Sequence, residues 1–186
     1  MFNRLPSIAG AEDLLRERGA ATIEHPGGTL LDHLGRVRHQ LDEWGASLEV
    51  QLAGLCHACY GTDGFGVSLL EITERPCLIE VIGSEAEGFV YLYGSCDRAY
   101  AYPQLASFPV EFRDRFTDTL TWPDRRAVDA FMEITAANEL DVVVHNLAIA
   151  VECGPELQEL FIRAHGHLTA AAQQAWSDPT LPIGAP

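Results

Sequence analysis

Apolar residues recur at helical spacing along most of this chain. Leu30, Leu34, Val37, Leu41 and Trp44 fall three or four positions apart, with Arg36, Arg38, Gln40 and Glu43 off that stripe. This is the period of an amphipathic helix. Pro26-Gly27-Gly28 breaks the chain before it, Thr29 is a candidate N-cap, and Gly45 ends it. A shorter amphipathic helix is predicted over Ala11 to Arg18. Glu49 to Tyr60, with Ser47 as a candidate cap, is apolar nearly all round and reads as a central buried helix. Gly61 to Gly66 carries three glycines and reads as a loop. Helices are expected from Arg75 to Ile82 and from Ser84 to Tyr100, split at Gly83. Arg125 to Glu152 returns to the helical period, and Pro155 to Trp176 gives one or two more helices.

Between them the pattern changes. Val110 to Arg113 and Phe116 to Trp122 suit a small two-stranded β-ribbon near residues 110–122. The expected fold class is all-α, with one helical domain over residues 1–176. Residues 177–186, with three prolines and a glycine, are expected to form a flexible tail.

Composition narrows the function. Of 186 residues, 47% are hydrophobic and 21% charged, which suits a globular domain and not a disordered chain. Asp and Glu number 27 and the basic residues 12, for a net charge of −15; every basic residue is Arg. Without lysine there is no Schiff-base chemistry and no P-loop. The acidic balance argues against nucleic acid or an anionic membrane as partner, whereas a small-molecule substrate remains compatible. Met1 to Gly10 lacks the apolar core of a signal peptide, and the run Val142–Val151 is too short to span a bilayer. A cytoplasmic location is the expectation. Five cysteines, an odd number with no zinc-like pairing of pairs, argue against a disulfide framework or a structural zinc, and Cys56 and Cys59 fit small core residues.

Ionisable groups on apolar faces are the candidate chemistry. His33 falls on the buried stripe between Leu30 and Val37. His57 lies in Ala53-Gly54-Leu55-Cys56-His57-Ala58-Cys59-Tyr60, where no face is clearly exposed. Asp97 is four residues after Tyr93, and Asn138, Asp141 and His145 share one face at spacings of three and four. Burying such groups alone costs several kcal/mol each, so they should meet one another or a metal. Two imidazoles and a carboxylate, His33, His57 and Asp97, form a natural divalent-metal set (Fe, Mn or Zn). Satisfied core histidines are the plainer alternative. Tyr60 and Thr62 are candidates for a pocket rim against a simple helix cap and turn. Arg98 suits an anionic substrate group or a structural partner such as Glu87 or Asp141. Asn138 suits a specific hydrogen bond, and His25 the mouth of a pocket.

The stretch from Thr29-Leu30-Leu31-Asp32-His33 through Leu52-Ala53-Gly54-Leu55-Cys56-His57 resembles the opening of an HD domain. Its two histidines are 24 positions apart (57 − 33). Cys96-Asp97-Arg98 and Ile82-Gly83-Ser84-Glu85-Ala86 resemble segments of the hydrolase domain of bacterial alarmone synthetase/hydrolases. The pattern His25-Pro-Gly-Gly-Thr29, His33, His57, Tyr60-Gly61-Thr62 also resembles an uncharacterised HD-like family of unknown function. The likeness spans residues 25–100. It implies an HD-like helical domain in which His33, His57 and Asp97 hold the metal. The doublet aspartate is replaced by Ala58, and the acidic pair that follows it by Gly61 and Thr62. His25, Asp141 or His145 are then the possible replacement ligands.

The leading expectation is a metal-dependent hydrolase acting on a small molecule. The alternatives are a mononuclear non-haem iron oxygenase or lyase on the same ligands, and a non-catalytic degenerate HD scaffold that binds a ligand or partner.

Overall fold

The computed structural model describes residues 5–183; Met1–Arg4 and the last three residues of the expected tail, 184–186, lie outside them. The fold is mostly helical, with two small two-stranded antiparallel sheets. The helices are α1 (Ile8–Glu17), α2 (Leu30–Glu43), α3 (Leu48–Cys56), α4 (Arg75–Ile82), α5 (Ser84–Ser95), α6 (Arg98–Ala101), α7 (Arg125–His145), α8 (Leu147–Arg163) and α9 (Ala170–Trp176). Among the described residues no helix is long and apolar enough to cross a membrane.

The start of α2 is set by a reciprocal cap. Thr29 Oγ1 accepts from Asp32 N at 3.2 Å, and Asp32 Oδ2 accepts from Thr29 N at 2.9 Å. From there the stripe Leu30, His33, Leu34, Val37 and Leu41 faces inward, as the periodicity required. It packs on α3 and on α7. Gly54 of α3 lies against Leu41 and Val37 with no room for a Cβ, so the two helices approach closely there.

The segment after Ser47 is buried without a break from Leu52 to Tyr60, as expected, and a second enclosed helix is α7. Its buried set runs without a break from Ala130 to Asp141, so every face is covered. The covered set is thus wider than the single stripe a helical period marks, since a helix enclosed all round has no solvent side. Glu133, Glu139 and Asp141 are buried with it and must find partners.

Several boundaries differ from the expected ones. α3 stops at Cys56, so His57 is its C-cap and residues 57–60 form a turn. α5 stops at Ser95, because Cys96 is extended and bridges Asp114, after which Asp97 caps α6 through Tyr100 N at 3.1 Å. Asn146 ends α7 and caps α8, and Pro155 lies inside α8 instead of opening a helix.

The expected ribbon forms as β3 (Phe112–Asp114) and β4 (Thr119–Thr121), with Phe112 opposite Thr121. A second hairpin, β1 (Glu24–His25) and β2 (Gly28–Thr29), turns through Pro26-Gly27 where only a break was expected. The expected tail is partly docked. Leu181 and Ile183 pack on the core, and Ile183 lies within 2.9 Å of where a Gly154 Cβ would stand.

Candidate functional site

A cavity of about 260 Å³ lies between the β1–β2 hairpin, α2, the end of α3 and α7. His25, His33, His57, Thr62, Arg98, Asn138 and Glu139 form its polar wall, and Leu30, Phe65, Val142 and Ile149 its apolar one. The three imidazoles form a column. His25 stacks on His33 with centroids 4.0 Å apart, and His57 meets His33 edge-on at 5.4 Å.

His33 is bound at both nitrogens. Nδ1 lies 2.7 Å from Asp141 Oδ2 and Nε2 lies 3.0 Å from Asn138 Oδ1. The amide orientation is fixed, since Asn138 Nδ2 donates to Glu139 Oε1 at 3.1 Å. Asp141 accepts only: burial pushes its carboxyl up, but the hydrogen bonds and charges of His33 and Arg36 outweigh this and bring it to about 2. His33 thus presents both ring nitrogens to protein oxygens, a carboxylate on one side and an amide carbonyl on the other. Arg36 completes the arrangement. Its Nε and Nη2 donate to Asp141 at 2.6 and 2.9 Å, and its other bonds reach Gly27 O and Pro26 O at 3.2 and 3.0 Å, clamping the hairpin. Gly27, at φ +78°, passes so close to His145 that a Cβ would meet its ring at 2.6 Å.

His57 is different. Its Nδ1 donates to Gly54 O at 2.7 Å, which leaves Nε2 as the accepting lone pair. Complete burial, followed by the nearby His33, pulls its pKa down to about 3. His25 is lowered to about 4 by burial and then by His33, and its Nδ1 is sealed without a partner. Both rings are neutral at pH 7.

Arg98 reaches the cavity from the start of α6. Nη1 donates to Glu139 at 3.0 Å and Nη2 to the Tyr93 hydroxyl at 3.1 Å, while Nε is buried and unpartnered. Its carboxylate partner is thus Glu139, not Glu87 or Asp141. Both hydrogen bonds of Glu139 fall on Oε1, and Oε2 has no partner among the described residues. Thr62 Oγ1 accepts from Phe65 N at 3.0 Å, which leaves its own proton free to donate.

Of the expected site residues, His25, His33, His57, Thr62, Arg98 and Asn138 line the cavity, and Asp141 supports it through His33. Asp97 does not join them. It caps α6 and lies 3.7 Å from Arg113, because α5 ends before the row that would have carried it inward. Tyr60 is also elsewhere: its hydroxyl donates to buried Glu87 at 2.9 Å, beside Arg75. His145 Nδ1 donates to Asp141 O at 2.8 Å on the outer groove side. Glu139 and Phe65 were not foreseen. Glu139 carried a signal, a carboxylate next to Asn138 in a helix too apolar to leave it in water.

The donor set does not fit a metal ion held by the expected triad. Both His33 nitrogens are engaged by Asp141 and Asn138, Asp97 lies outside the site, and Ala58 offers no oxygen. Among the described residues no group of three or more His, Cys, Asp or Glu is placed to hold a metal.

The profile of a domain of unknown function, DUF6817, matches residues 14–98, a little under half of the chain. The match includes His25, His33, His57 and Arg98 but stops before α7, which carries Asn138, Glu139 and Asp141. No curated protein and no solved structure matches.

Proposed function

We propose that this chain is a ligand-binding domain that takes a small organic molecule in the histidine-lined cavity, without a metal held by its own side chains. The observation that carries this reading is His57: a neutral imidazole on the cavity wall whose one free nitrogen is a lone pair with no protein partner. Recognition is favoured over proton transfer by magnitude. A general base works best with a pKa near the operating pH, and burial holds His57 at about 3. It therefore accepts a hydrogen bond well and removes a proton poorly.

Metal-dependent hydrolysis, implied by the HD resemblance, needs His33 Nε2 to exchange Asn138 for the metal and needs a third ligand in place of Asp97. The two readings separate by calorimetry. Titration with Mn²⁺, Zn²⁺ or anaerobic Fe²⁺ is expected to show no stoichiometric site, and a fragment screen by thermal shift is expected to give hits that vanish in His57→Leu. One ion bound per chain, lost in both His33→Ala and His57→Ala, overturns the proposal.

A further inference from the structure

We propose that the cavity selects a neutral molecule that presents two hydrogen-bond donors at one end of an apolar body, such as a primary amide on a ring. This rests on the reading of the cavity as a ligand site and specifies its ligand.

The free valences set the class. His57 Nε2 and Glu139 Oε2 are acceptors without protein partners, on two different helical elements of one wall. Both open onto the cavity, so a ligand that brings donors to them takes the place of water there. Thr62 can donate in return to a ligand carbonyl, its own acceptor site being used by Phe65 N. The remaining wall, Leu30, Phe65, Val142 and Ile149, asks for apolar surface.

Charge excludes the two ionic isosteres. A carboxylate has acceptors only, and would face the lone pair of His57 and the charge of Glu139. An ammonium would face the Arg98 guanidinium. The Arg98–Glu139 pair at 3.0 Å neutralises itself, and Glu24 at the hairpin is exposed to solvent, so neither ion meets a buried net countercharge on this wall. Size agrees. A cavity of about 260 Å³ has room for roughly nine waters at the ~30 Å³ each occupies in the liquid, more than the bulk of benzamide, which fits inside it with space to spare.

Benzamide, benzoate and benzylamine are near-isosteric and differ in charge. Titrated into ¹³C-histidine-labelled chain at pH 7.5, benzamide is expected to move the His57 Cε1–H resonance with a Kd at least tenfold lower than either ion. Glu139→Gln, checked for fold by circular dichroism, is expected to narrow the gap between benzamide and benzoate. Benzoate or benzylamine binding as tightly as benzamide overturns the ligand class and leaves the cavity a binding site. If none of the three moves the His57 resonance at saturation, both the class and the binding reading are overturned.

Discussion

His57 turns an α3 end into a pH-dependent element of the fold. In the unfolded chain it titrates near 6.5, and in the native state near 3, because complete burial penalises its charged form. Between those values the unfolded state binds the extra proton, so native stability falls as pH drops below about 6.5. Each pH unit in that window costs at most about 1.4 kcal/mol per group, so His57 removes about 2 kcal/mol between pH 6.5 and 5. Asp141 acts later, its contribution being lost only as pH falls from about 4 towards 2. Urea unfolding at a series of pH values is expected to show this loss, with a flatter slope in His57→Leu. The two histidines were legible in the sequence because imidazoles on apolar faces violate the pattern around them. Asp97 was misread for a related reason. Its position depends on where α5 ends, and that is decided by the Cys96–Asp114 bridge to a strand distant in sequence.

At the scale of elements, the site depends on how closely α3 lies on α2. Gly54 sets that distance and also supplies the carbonyl that fixes the His57 tautomer. A Cβ there would fall inside contact distance of Leu41 Cδ1, a methyl of a fully buried side chain, with Val37 Cγ1 at 3.6 Å. Gly54→Ala gains about 1 kcal/mol of helix propensity, but overpacking a filled core costs about 1–3 kcal/mol. The helices must separate, so the variant is expected to be less stable and to shift the His57 resonance. Chemical denaturation and the same histidine spectrum check both. The α2 stripe and the Thr29 cap were readable because their determinants are local. The partner carboxylates were not. Helix α7 buries Glu139 and Asp141 on opposite sides of Asn138's contact with His33, and pairing of that kind lies between elements, where no period reports it.

Over the whole molecule, 27 acidic side chains stand against 12 arginines, and much of the cation supply is committed. Arg36 is tied to Asp141, Arg75 to Glu87 and Arg98 to Glu139, each pair partly withdrawn from solvent. Most of the remaining acids populate the surface and repel one another, a self-repulsion that compactness makes worse. Salt screens exposed charges beyond about 10 Å at 0.1 M, and beyond only about 3 Å at 1 M. It acts far less on the buried pairs, whose separations are 2.6 to 3.0 Å. Two salt effects therefore compete. Exposed i,i+4 pairs such as Arg16–Glu12 and Arg125–Asp129 weaken, but each is worth only about 0.3–0.5 kcal/mol. Long-range repulsion from a net charge of −15 is relieved at the same time, and it outweighs those few pairs. The melting temperature at pH 7.5 is expected to rise as NaCl goes from 0.02 to about 0.5 M, a range over which the screening length falls severalfold. A fall over the same range, measured by scanning calorimetry, would mean that the surface ion pairs and not the excess of carboxylates dominate the electrostatics of this fold.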